Sequence, residues 1–120
     1  MTVKIVKVED AGERELPRRV KSTARSLIGP KTTGSKNIQL FYTTFEVGGE
    51  SQPHTHPCEA GHFILDGELA LETEEASYTV SANTAVFIAP GVQHRFVNHQ
   101  PQPVHMLALF APPEEAYETG

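Results

Sequence analysis

Phe41, Thr43, Phe45 and Val47 alternate with Tyr42, Thr44 and Glu46, and that two-residue period commits Asn37 to Val47 to a strand with one face in a core. Gly48-Gly49 follows and reads as its end. The rest of the chain is cut short in the same way, because nine glycines and nine prolines leave no room for long elements. Between them lie short runs rich in β-branched and aromatic residues: Gly61 to Leu65, Glu68 to Thr73, Tyr78 to Val80, Ala85 to Ile88, His94 to Val97 and Val104 to Phe110. The connections carry turn chemistry. Asp66-Gly67 between two apolar runs signals a hairpin, Asn83 tolerates positive φ, and Ala89-Pro90-Gly91 starts a tight turn. Closely spaced strands separated by turns predict an all-β sandwich or barrel.

The ends are less regular. Val3 to Val8 and Arg19 to Ile28 are further strand candidates, while Ala24 to Ile28 is a short helix-like stretch closed by Gly29-Pro30. The first thirty residues are expected to form an arm across the barrel or across a partner subunit. The acidic tail from Pro112 onward is expected to fray.

Composition narrows the function classes. A chain of 120 residues supports one core and not two, and its net charge of −5 comes without any basic cluster longer than Arg18-Arg19. Nucleic acid and anionic membranes are therefore poor partners. The lone cysteine, Cys58, excludes an intrachain disulfide and fits a reducing compartment. No apolar run resembles a signal peptide or a membrane span, so a soluble, cytoplasmic protein is the expectation.

The chemistry is concentrated in histidines. In extended chain, His54 and His56 fall on one face, and neutral imidazole is the commonest metal ligand. A third histidine, His94, stands in a strand context far down the chain and would complete a facial set with open coordination positions. Cys58 has no convincing Cys-His-Asn arrangement and reads as an inert thiol. His99 and His105 read as surface and strand residues, and Phe45, Phe96, Met106 and Phe110 as barrel lining. No phosphate loop, nucleophile elbow or dinucleotide fingerprint is present.

Two segments carry a resemblance. Gly48-GESQP-His54-Thr55-His56-PCE-Ala60-GHFILD-Gly67 resembles the first cupin motif, and Asn83-TAVFI-Ala89-Pro90-Gly91-VQ-His94-RFV-Asn98 the second, in the same order. The resemblance covers about residues 37–111 and implies a cupin-type double-stranded β-helix, or jelly-roll barrel. It divides the chain into a barrel core over that range, N-terminal strands or an arm over 1–36, and a tail over 112–120, all in one domain. There are departures. Where the family carries a glutamate ligand this chain has Ala60; Glu59, one residue early, would face the other way, and His62, two residues late, keeps the face but lies about 6.5 Å further along. Gly61 between them would permit a bulge that shifts the register.

The resemblance implies one divalent transition metal (Fe, Mn, Ni, Cu or Zn) held by His54, His56 and His94; at the fourth position His62 reads as a ligand or as a pocket-lining histidine that hydrogen-bonds substrate or water, with Glu59 as the other candidate ligand. Three-histidine cupin centres resemble those of thiol and β-diketone dioxygenases, in which neutral ligands leave the full dication charge for an anionic substrate. The implied activity is oxygenase, isomerase or lyase chemistry on a small organic molecule. The alternatives are a non-enzymatic metal- or metabolite-binding module and a structural dimer tied by its metal. A homodimer is implied by analogy.

Overall fold

The structure is a computed structural model that describes residues 2–118. Its strands are β1 (Glu13–Arg14), β2 (Arg19–Ile28), β3 (Gln39–Ser51), β4 (Glu59–Ile64), β5 (Glu68–Thr73), β6 (Ser77–Ser81), β7 (Thr84–Ile88), β8 (His94–Val97) and β9 (Val104–Ala111). Every pairing is antiparallel, in the order β6-β5-β8-β3-β9-β4-β7, with β2 added on β3 and β1 on β2. The sheet curls into a nearly closed barrel whose free edges are β6 and β7. A jelly roll of this kind meets the all-β cupin expectation.

The alternation read in β3 decides the interior. Phe41, Thr43 and Phe45 are completely buried, and they meet Phe110, Met106, Val104 and Ile64 from β9 and β4. Burying each of the larger side chains is worth about 1.5–3 kcal/mol. Asp66-Gly67 and Asn83 form turns as expected, Gly67 at φ 65° and Asn83 at φ 63°.

Four expectations are corrected. Gly48-Gly49 does not end its strand: β3 runs on to Ser51 through a bulge, where pairing slips between Val20 and Ser22 of β2. A Cβ on Gly49 would stand 2.4 Å from the Lys21 carbonyl oxygen, so glycine is required there because the two backbones nearly touch. The Asn98 side-chain amide donates to the carbonyls of Phe45 and Glu46, fixing the bend. Arg19 to Ile28 is a strand, as one of the two readings had it, and the helix-like reading of Ala24 to Ile28 fails because its backbone is paired with β3. Val3 to Val8 pairs with nothing and leaves Ile5 87% exposed, because alternation without a neighbouring edge does not make a strand.

The tail supplies the fourth correction. Residues 112–118 return over the barrel, a short 3-10 turn spans Glu115–Tyr117, and Tyr117 is only 1% exposed; Thr119 and Gly120 lie outside the described residues. The Tyr117 ring packs edge-on to Phe41 and Phe110 at centroid distances of 5.9 and 5.2 Å. Glu118 accepts from the Gln39 side-chain amide at 2.6 Å and from the Lys31 backbone N–H at 2.9 Å. An aromatic anchor and a buried carboxylate with two donors hold the segment down. Among the described residues no helix is long and apolar enough to cross a membrane.

Candidate metal centre

His54 and His94 come together through the backbone. Each donates its N–H to the other's carbonyl, at 3.1 and 3.0 Å, as an isolated antiparallel bridge. Residues paired in this way project to the same face, and the two rings lie 4.5 Å apart between centroids. His56 is two residues on and joins them at 4.6 Å from His54 and 5.3 Å from His94. The intervening Thr55 is exposed while all three histidines are buried, as extended chain requires. One nitrogen from each of the three rings falls within 4.8 Å of the other two, close enough for a single cation.

The hydrogen bonds fix which nitrogen that is. His54 Nδ1 lies 2.7 Å from the Gln52 carbonyl oxygen and His94 Nδ1 lies 3.0 Å from that of Val92. A carbonyl only accepts, so both Nδ1 atoms carry the proton and the lone pair is left on Nε2. His56 Nδ1 faces the Glu114 carboxylate at 3.4 Å with the same consequence. The Nε2 atoms of His54 and His56 are buried without any partner. Imidazoles oriented from behind, with unused inward lone pairs, are the arrangement of metal-ligating histidines, so the residues present fit a divalent transition metal.

Electrostatics agree with neutral ligands. Burial pushes the pKa of His54 down to about 4 and that of His56 to about 3, the neighbouring imidazoles and Arg19 adding to the effect. His94 is lowered by burial and by Arg19 against its bond to Val92. His62 is held well below its usual value by burial above all. At neutral pH the barrel holds four uncharged rings.

His62 stands apart from the tight trio. Its ring is 6.4 Å from His94 and 4.9 Å from Phe96, and neither of its nitrogens has a partner. The bulge that Gly61 would permit is not formed: Ala60, Gly61 and His62 pair in unbroken register with Ile88, Phe87 and Val86 of β7. Ala60 therefore occupies the inward position of the missing glutamate, and Glu59 faces out and is exposed. Cys58 is buried, and burial together with Glu114 raises its pKa to about 11, which keeps it a thiol. Its Sγ is 3.7 Å from Glu114, so His56, Cys58 and Glu114 form a second group of donors within 4.8 Å of one another. His105 is a surface residue bonded to Asp66 at 2.8 Å, and His99 is exposed.

Sequence reasoning missed Glu114, Tyr117 and Arg19. Glu114 and Tyr117 belong to a stretch whose acidity reads as solvated, although an aromatic residue within it was the available signal. Tyr117 closes one side of the site, its ring 5.7 Å from that of His56. On another side the free edges β6 and β7 leave a cavity of about 560 Å³, lined by residues such as Leu71, Thr73, Tyr78, Val80, Val86 and Ile88. Within its lining Thr73 pairs with His94 and Val86 with His62, so the cleft lies one strand away from those two imidazoles.

A family model described as "Cupin domain" matches residues 41–110. Among solved structures, the chain is similar to the polyketide cyclase RemF from Streptomyces resistomycificus, with a TM-score of 0.83 and 24% identity over 93% of this chain and 81% of that one. It is also similar to KdgF from Halomonas sp., with a TM-score of 0.80 and 15% identity over 95% of this chain and 97% of that one. An RmlC-like cupin from Shewanella frigidimarina NCIMB 400 has a TM-score of 0.78 and 17% identity over 95% of both chains. None of the curated protein sequences compared matches the chain.

Proposed function

The chain belongs to the cupin family, and from that premise we propose that it is a metal-dependent enzyme acting on a small, largely apolar organic molecule that carries oxygen. One observation carries the reading: His54, His56 and His94 have their Nδ1 atoms engaged from behind, and one nitrogen of each ring lies within 4.8 Å of the other two. His62, 6.4 Å from His94 between ring centroids and with two buried unpartnered nitrogens, is the candidate fourth ligand. When bound, a divalent transition metal (Fe, Mn, Ni, Cu or Zn) supplies Lewis acidity to a carbonyl or enolate oxygen.

The remaining work falls to the protein. The cavity between β6 and β7 has a volume within the usual range for small-molecule sites, about 300–1,000 Å³, and its apolar wall takes the body of the substrate. Tyr117 and the aromatic rings around it keep water from the opposite side. His62 is also the imidazole best placed to meet a ligand entering past Val86. A polyketide cyclase of similar fold supports a small oxygen-bearing organic molecule as the substrate class, with oxygenase, isomerase and lyase chemistry all open. The homodimer has support in the outer sheet face, where Phe63, Phe87 and Leu109 are exposed together; light scattering of the purified protein tests it.

Elemental analysis of protein prepared without chelator, beside His54→Ala, tests the function. One metal per chain, lost in the variant, is expected. Absence of metal after preparation and after reconstitution would overturn the proposal.

A further inference from the structure

Arg19 opens β2 and pairs with Ser51 of β3. Paired residues share a face of the sheet. Ser51 is completely buried, with its Oγ accepting from the Phe96 backbone N–H at 2.9 Å, so the Arg19 side chain enters the barrel on the same side. Its guanidinium carbon lies 6.0 Å from the centroid of the Tyr117 ring, and its Nε is buried with no hydrogen-bond partner. Among the described residues, the arginines in ion pairs are Arg25 and Arg95, and Arg19 has no carboxylate. Glu114 is engaged with His56 and Cys58.

A partly buried guanidinium without a counter-charge is costly, and the imidazoles beyond it do nothing to offset it. They feel the charge: Arg19 opposes protonation of His54, His56, His62 and His94 alike. Its placement becomes less favourable still with a second cation among those rings. An anion lying between the two removes both penalties at once.

We propose that Arg19 is the anion-recognition residue of this site, and that the ligand is an organic oxyanion, a carboxylate or enolate, whose charged end lies between the Arg19 guanidinium and the histidines. The planar fork of five donors suits such a group, and the unpartnered Nε is available to it. The apolar remainder of the ligand then extends towards the cleft between β6 and β7. This rests on reading the barrel as a small-molecule site, and it does not require the metal.

The test uses benzoate and 2-naphthoate against their neutral counterparts benzamide and 2-naphthamide. Binding is followed by calorimetry and ligand-observed NMR, on metal-free and on zinc-loaded protein. Wild type is expected to prefer at least one carboxylate over its amide by about tenfold or more, in the metal-free form as well. Arg19→Gln is expected to lose that preference with its metal content unchanged, and Arg19→Lys to retain part of it. Circular dichroism and thermal unfolding establish that each variant is folded. An Arg19→Gln protein that keeps the preference overturns the proposal, as does a wild type that shows none. Failure of zinc binding with an intact, Arg19-dependent preference would sink the metal reading and leave this one standing.

Discussion

His54 and His94 exchange backbone hydrogen bonds at 3.1 and 3.0 Å, and this bridge sets two residues from separate motifs with their rings 4.5 Å apart. The imidazoles are thus positioned by main chain on one side and by the Gln52 and Val92 carbonyls on the other. His94→Ala should leave the bridge and fold intact, because the bridge is backbone. Metal content measured by elemental analysis should fall from one per chain to near zero, while the circular dichroism spectrum is unchanged.

His62 separates stability from binding. Its two unpartnered nitrogens are buried, and each unsatisfied polar atom costs about 1–3 kcal/mol. Phe is close to it in shape and borders on Phe96 and Phe110. His62→Phe should therefore raise the unfolding midpoint of the metal-free protein in urea. It should also weaken metal binding by about tenfold or more, measured by competition with a chelating dye. Unchanged metal affinity would remove His62 from the ligand set.

The lowered histidine pKa values set the pH dependence of the metal-free protein. In the unfolded chain these groups titrate near 6.5, whereas in the fold His54 does so at about 4 and His56 at about 3, chiefly through burial. Between those values the unfolded state binds protons that the folded state does not, so stability rises with pH and is lost as pH falls from 6.5 towards 3. Each such imidazole adds a slope approaching about 1.4 kcal/mol per pH unit. Urea titrations at pH 7.5, 6.0, 5.0 and 4.5, about four points in all, should show a shallower decline for His62→Phe than for wild type.

Tyr117 anchors the returning tail by its ring. Tyr117→Ala should cost about 3–5 kcal/mol, the range for large buried aromatic side chains, and release residues 112–118 to proteolysis. Tyr117→Phe keeps the contacts with Phe41 and Phe110 and should stay close to wild type in stability. Chemical denaturation and limited proteolysis of the two variants distinguish an anchored tail from a loosely lying one.

Much of this was legible beforehand. The alternation of Phe41, Thr43 and Phe45 defined an inward face because strand side chains have a period of two, and the same rule put His54 and His56 on one side; His94 joined them only through its backbone bridge to His54. Strands β5 and β8 run over the residues their composition marked out, since Asp66-Gly67 and Ala89-Pro90-Gly91 interrupt the chain by local sterics. Glu59 facing out and Ala60 facing in follow from parity alone. These are short-range consequences, decided within a few residues.

What the tertiary structure decided depends on partners distant in sequence. Gly48-Gly49 could end a strand or bulge within one, and the close approach of Lys21 settled it. The tail's acidity pointed to solvent, yet the barrel offered Tyr117 an aromatic seat and Glu118 two donors. Arg19 is one of two adjacent arginines in the sequence, and only its pairing with Ser51 turns it inward. Alternation states which residues share a face, but only the closed sheet states what that face meets, because burial and counter-charge belong to the assembled barrel and not to any segment of it.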